Sequence, residues 1–268
     1  MTAPPPPDAP DPRAGRAHLE ELSEAFTHLH GADPALVART LASLRRTVTD
    51  GDDLVELLDR AVGAAVAWLP EAHSAGITVA VAGATITAAS TDARVVALDE
   101  AQYAMHHGPC MHAMTTRSTV CMSLAEVARS WPGLAARAVT ERVRSFLAAP
   151  LLVGGRVVGS LNLYSTRAQG FPPDEVDFVT VVAALAAEHL HTFGEHRGAE
   201  GQARELRAGV RHRPVVRRAR GMVMAVDEVG PDEAYAALRE RSARAGADLV
   251  TTAERIVATA SVAPPDVA

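Results

Sequence analysis

Seven arginines, at positions 204, 207, 211, 213, 217, 218 and 220, stand beside a single acid, Glu205, so this short stretch carries six excess positive charges in a chain whose formal net charge is −6. Guanidinium groups at that density attract phosphate, because each phosphate they neutralise releases condensed counterions. On charge alone, the stretch reads equally as a nucleic-acid face or as a solvated helix face. All 26 basic residues are Arg and none is Lys, so the choice of Arg at any one position carries no chemical message. A second concentration of reactive types is His106, His107, Cys110 and His112. Those groups suit a metal, a haem iron or, through Cys110, a covalent chromophore, and equally a structural loop and helix start. Catalytic signatures are missing. There is no phosphate loop, no lysine for Schiff-base chemistry, no nucleophile elbow and no zinc-binding His-Glu-x-x-His helix, and the chain is expected not to be an enzyme.

The elements that would carry these groups follow from periodicity. Residues 1–18, with consecutive prolines and acids, read as a disordered tail. Residues 19–50 suit two short amphipathic helices around the break at Gly31 to Pro34, and Asp52 to Leu69 suits a third. The period then changes. Five Val/Leu/Thr-rich segments, Ala75–Ala82, Ala84–Ala89, Ser118–Met122, Ser145–Val153 and Val157–Tyr164, predict strands, with helices around Glu100–Met105, Met111–Thr116 and Trp131–Arg142 between them. Gly154-Gly155-Arg156 predicts the turn of a hairpin. Pro172 to Glu175 opens a long helix in which Val176, Val179, Ala183, Ala186, Leu190 and Phe193 form one apolar stripe. Phe178, Val181, Val182 and Leu185 form a second, and a helix with two apolar faces predicts a homodimer through one of them. The alternative is a helix buried wholly within one chain. Residues 194–203 turn polar and glycine-containing, as a linker or a weakened helical hinge does.

Beyond this point the apolar residues repeat with helical spacing again. Val215, Val216, Ala219, Met222, Val223 and Val226 share one helix face, with Arg213, Arg217, Arg220 and Gly221 on the other side. Arg218 falls nearer the edge of the apolar stripe. Gly230-Pro231-Asp232-Glu233 starts a second helix, and Asp248 caps a third; three such helices make a small bundle over 204–262, with a disordered tail at 263–268. The fold class is therefore α+β: an antiparallel sheet flanked by helices, a long connecting helix and an all-α three-helix module. Two cysteines, no signal segment and no apolar run long enough to span a bilayer predict a cytoplasmic protein without membrane association.

Three stretches carry a resemblance in the first half: Gln102–Thr116 around Gly108-Pro109-Cys110, the Ser130-Trp131-Pro132 step, and RSFLAAPLLVGGRVVGSLNLYS from Arg144. Residues 51–193 resemble the GAF domains of bacterial signalling proteins, which implies a sensor with a pocket between sheet and inserted helices. On that resemblance Gln102, Tyr103, Cys110 and His112 are the candidate pocket residues for a small-molecule ligand whose identity is open. The cyclic-nucleotide signature is absent. Related sequences usually hold glycine or an acid where His106 and His107 stand, so no metal and no obligatory cofactor is expected.

In the second half, VVRRARGMVM at 215–224, GPDEAYAALRERS at 230–242 and DLVTTAERIV at 248–257 are similar to the ANTAR domain of bacterial antiterminators. Val226-Asp227-Glu228 departs from a stretch that is often more basic. The resemblance implies a signal-responsive regulator that binds paired stem-loops in nascent RNA and prevents termination. Its RNA contacts are expected from Arg213, Arg217, Arg220 and Gly221, then Arg218, with Arg239 and Arg244 secondary. Gly221 would let a backbone or base approach closely, or serve tight helix packing. Two other readings stay open: a module that docks protein partners through its C-terminal helices, and a DNA-binding transcription factor.

Overall fold

The computed structural model describes residues 42–44 and 46–262. The expected tails at 1–18 and 263–268 lie outside these, as do nearly all of the helices expected over 19–50. Helix α1 (Gly51–Trp68) starts where the Asp50 side chain accepts the Asp53 amide. Five strands follow with helices among them: β1 (Ser74–Val81), β2 (Ala84–Ser90), α2 (Ala93–Met105), α3 (Pro109–Thr116), β3 (Val120–Ser123), α4 (Leu124–Ser130), α5 (Pro132–Thr140), β4 (Ser145–Val153) and β5 (Arg156–Ser165). They form one antiparallel sheet in the order β2-β1-β5-β4-β3. Gly154 and Gly155 both take positive φ, at 55° and 74°, which closes β4 onto β5 in the two-residue turn that suits strand twist.

Nearly every residue of β4 is buried, because the sheet is a middle layer. On one face Val95, Leu98, Val127, Leu134, Ala138, Phe146 and Tyr164 pack beneath α2, α4 and α5. On the other lie α1 and the long helix α6 (Pro173–Asp227). Trp68 stacks on Phe178 at 5.0 Å and ties the end of α1 to the start of α6. Along α6, Phe178, Val179, Val182, Ala183, Leu185, Ala186, Leu190 and Phe193 are all buried within the chain. Most of both apolar stripes is therefore covered within one chain, with Val176 and Val181 half-buried, and the stripes by themselves do not call for a homodimer.

The polar stretch after Phe193 is helical except at Gly198, whose φ of 68° and ψ of 163° break the rod in two. The chain doubles back there. Gln202 Nε2 donates to the Leu190 carbonyl at 2.6 Å, whereas twelve residues of straight helix would hold them roughly 18 Å apart. The second half runs unbroken through Pro214, so it begins well before the start near Pro214 that its apolar repeat suggests. It packs with α7 (Pro231–Ala245) and α8 (Leu249–Val262) around Val216, Ala219, Val223, Ala234, Tyr235, Leu238, Leu249 and Ala253. Asp248 caps α8 by accepting the Thr251 amide at 2.7 Å. Val226, expected in the apolar stripe, is 79% exposed, because it sits in the last turn beyond the reach of the other two helices.

Candidate nucleic-acid interface

The second half of α6 presents three faces. One is the bundle core just described. A second carries Arg204, Arg207, Arg211, Pro214, Arg218, Gly221 and Ala225, all exposed and spaced alternately three and four residues apart, the spacing of one side of a helix. Among the described residues, Arg204, Arg207, Arg211 and Arg218 enter no ion pair. Arg218 thus points away from the core that it was expected to edge. Gly221 lies in the same exposed row, and a Cβ built on it meets nothing within 4 Å. Helix packing therefore does not require glycine there, and an exposed helical glycine costs about 0.5–1 kcal/mol relative to alanine.

The third face is turned onto α1. Arg217 Nη2 lies 2.9 Å and Arg213 Nη1 3.6 Å from Asp59 Oδ1, and Arg220 Nη1 closes on Glu56 Oε1. Arg213 also donates to the Ser90 hydroxyl at 3.1 Å and Arg217 to the Ser90 carbonyl at 3.2 Å, at the end of β2. His212 Nδ1 stands 3.0 Å from Asp52 Oδ1. From α7, Arg239 reaches Asp53 at 2.5 Å and Asp50 at 2.6 Å, and Tyr235 donates its hydroxyl to Asp53 at 3.0 Å. Arg244 remains exposed, with only Glu240, one turn away, at 3.8 Å. Asp59 is buried, and burial pushes its carboxyl up to about 6 although Arg217 and Arg213 pull the other way. Both of its oxygens, and Arg217 Nε, are buried without an aligned hydrogen bond. The charges are close, but their geometry leaves part of the desolvation uncompensated.

The acidic partners of these arginines are residues that sequence reasoning missed, although a signal for them exists. Asp52, Glu56 and Asp59 recur at i, i+4 and i+7, as do Arg213, Arg217 and Arg220, so each set forms one helix stripe complementary to the other.

In the first half, Gln102, Tyr103 and Cys110 converge on one buried polar network. Its centre is Asp99, fully buried, which accepts from Tyr164 at 2.5 Å, Asn162 at 3.2 Å and Thr87 at 3.0 Å. Tyr103 shares its hydroxyl with Thr78 and Thr87, Gln102 Oε1 accepts the Cys110 amide at 2.9 Å, and the Cys110 thiol faces Thr78 at 3.4 Å. Burial pushes Asp99 up to about 6 and the Cys110 thiol up to about 12, so that thiol is protonated and a poor nucleophile at neutral pH. His112 is exposed near Trp131, and His106 and His107 are exposed as well. The four-residue cluster seen in the sequence is thus split between core and surface. Among the described residues no group of three or more His, Cys, Asp or Glu side chains could hold a metal ion, and no helix is long and apolar enough to cross a membrane.

Comparison with known proteins accords with this division of the chain. The GAF domain family model matches residues 51–191 and the ANTAR domain model residues 204–257. No curated protein matches the chain. Among solved structures, the GAF domain of a phosphoenolpyruvate-protein phosphotransferase from Coxiella burnetii is 18% identical, with 60% of this chain and 95% of that one covered and a TM-score of 0.46. The GAF domain of the Acinetobacter phosphoenolpyruvate-protein phosphotransferase is 15% identical over 60% and 95%, with a TM-score of 0.46. A type II free methionine-R-sulfoxide reductase from Thermoplasma acidophilum is 16% identical over 54% and 97%, with a TM-score of 0.42. The five-stranded sheet with its flanking helices and the arginine-rich bundle behind it coincide with the two matched segments, and the chain belongs to the GAF domain family as a regulator that couples a GAF domain to a C-terminal ANTAR domain.

Proposed function

We propose that the protein is a signal-responsive transcription antiterminator whose bundle binds paired stem-loops in nascent RNA when the GAF fold receives a small molecule or another signal. The observation that carries this reading is the coincidence of the ANTAR match at 204–257 with the one strongly basic stretch of an acidic chain. Arg204, Arg207, Arg211 and Arg218 form an exposed row about 21 Å long at 1.5 Å per helical residue, suited to tracking phosphates beside a stem. Gly221, at the end of that row, leaves room for a nucleotide to approach the helix backbone. Arg213, Arg217 and Arg220 are a second set, and Arg244 an outlying one.

Paired RNA is recognised through its backbone and shape, and its loop bases through stacking and edges. The test is titration of a hairpin RNA, its unpaired scramble and duplex DNA of equal length against the whole chain at several salt concentrations. Selective hairpin binding with a steep salt dependence supports the proposal. Equal binding of duplex DNA would favour a DNA-binding factor, and absence of nucleic-acid binding would favour a protein-docking module.

A further inference from the structure

We propose that α1 is a built-in competitor for the RNA: Glu56 and Asp59 occupy, on Arg220, Arg217 and Arg213, places that RNA phosphates take, so that docking on α1 and full RNA binding exclude each other. This rests on the RNA-binding reading above and assigns the regulation of that same surface. A carboxylate offers a guanidinium the same paired oxygens that a phosphate offers, and the three arginines here are spent on carboxylates. Asp59 is 4% exposed at its side chain and Glu56 7%, whereas Arg213, Arg217 and Arg220 are partly exposed, so while α1 stays in place a phosphate meets only the part of each guanidinium that the carboxylates leave open.

The docking surface is extensive. Asp50 and Asp53 hold Arg239, Asp52 holds His212, and Arg60 reaches Asp232 at 2.7 Å. At its centre Gly209 lies so close to Gly51 that a Cβ on Gly209 would collide with the Gly51 carbonyl oxygen and crowd Val55. The surface is also built to separate. The ionised form of Asp59 is disfavoured by burial beyond what its arginines return, and both its oxygens and Arg217 Nε lack aligned hydrogen bonds. A contact of that kind exchanges its anion more readily than a fully bonded one.

Two variants separate α1 from the bundle by different means without touching an arginine. Gly209→Leu wedges the helices apart sterically and leaves every charge in place. Glu56→Gln removes the anion from Arg220 and keeps the shape. Hairpin RNA affinity of the whole chain is measured at fixed salt for the parent and both variants, with circular dichroism to check folding and amide hydrogen exchange of 51–68 and 199–227 in each. Both variants should bind at least tenfold more tightly, because apparent affinity scales with the fraction of chains in the competent form. Added RNA should also speed exchange in 51–68 of the parent. Equal affinity in all three proteins, or an α1 that stays fully protected in the parent's RNA complex, overturns the competition while leaving RNA binding intact. Failure of parent and variants alike to bind any hairpin overturns the RNA reading and the competition with it. Either variant decides the matter if the other fails to fold.

Discussion

The division of the basic helix into a free row and a docked row makes a quantitative prediction about salt. An exposed arginine that neutralises a phosphate releases condensed counterions, and each such contact steepens the dependence of log affinity on log salt by about 0.7–0.9. Arg207, Arg211 and Arg218 are exposed and without ion pairs among the described residues. Replacing all three by Ala should therefore make the slope shallower by about 2–3. Between 50 and 200 mM salt, that is a loss of salt sensitivity of roughly 20- to 40-fold in affinity. Arg217 and Arg220 behave differently, because each is already neutralised by a carboxylate. Exchanging a carboxylate for a phosphate leaves the guanidinium paired before and after, so Arg217→Ala with Arg220→Ala should change the slope by less than about 1. Fluorescence titration of one labelled hairpin at five salt concentrations measures both slopes. A triple variant with the parent's slope, or a double variant that flattens it more than the triple, would refute the assignment of the free row.

Two further outcomes follow from buried groups and one from the backbone break. Asp99 titrates near 6 in the fold against an ordinary 3.8, so the folded form holds that proton more tightly, and the stability it contributes is complete below about pH 4 and lost as pH rises through about 6. A gap of about two pKa units amounts to about 3 kcal/mol; Asp59, also near 6, and Asp52, raised as well, add slope of the same sign, so Asp99→Asn should reduce but not abolish the pH dependence of urea unfolding between pH 4.5 and 7.5. An unchanged slope would show that Asp99 is not the titrating group. At pH 8 a thiol reagent should modify the exposed Cys121 in the native protein and spare Cys110, which is buried with its thiol near 12; both should react in denaturant, and native modification of both would contradict the network. Gly198→Ala should destabilise the folded chain by about 1–3 kcal/mol, since φ 68° with ψ 163° is a conformation essentially reserved for glycine. A variant as stable as the parent in chemical unfolding would mean that the reversal is not held at that residue.

The strands were legible because their period is local. All five expected segments lie within two residues of β1, β2, β3, β4 and β5 at either end. Two helices were harder to read. Leu124–Ser130 carries a capping box between Ser123 and Glu126, a signal present in the sequence but swamped by neighbouring strand-like residues. The Ala93–Glu100 part of α2 is weakly amphipathic, and the Asp92 cap is its clearest mark. At the arginine helix, periodicity divides residues into apolar and polar sides, whereas this helix has a core side, a docked side and a free side. Nothing local distinguishes Arg217, paired with Asp59, from Arg218, which is exposed. That distinction depends on α1, some 160 residues earlier in the chain. The doubling back at Gly198 that brings the two together is a single dihedral pair, and residue type permits it without announcing it.

The energy scale of the docked surface fits a switch better than a permanent joint. Six ion pairs connect α1 and its cap with the bundle, beside the contact of His212 with Asp52. Partly exposed ion pairs contribute about 0–1 kcal/mol each, and the buried Asp59 returns less than its closeness to two arginines suggests, because its oxygens lack aligned hydrogen bonds. The ionic part of the joint is a few kcal/mol, and the close packing of Gly209 on Gly51 and Val55 adds to it. Moving an equilibrium from one part in a hundred to ninety-nine parts takes about 5.5 kcal/mol of differential binding, which is within the reach of a ligand on the GAF fold combined with phosphates on the freed arginines. The bundle itself is held differently. Val216, Ala219, Val223, Leu238, Leu249 and Ala253 are buried against one another without ions, and apolar burial of that kind is not exchangeable for phosphate. On this reading, the module comes away from α1 as a folded unit, its arginine face formed beforehand, and the carboxylates of α1 decide only whether that face is free.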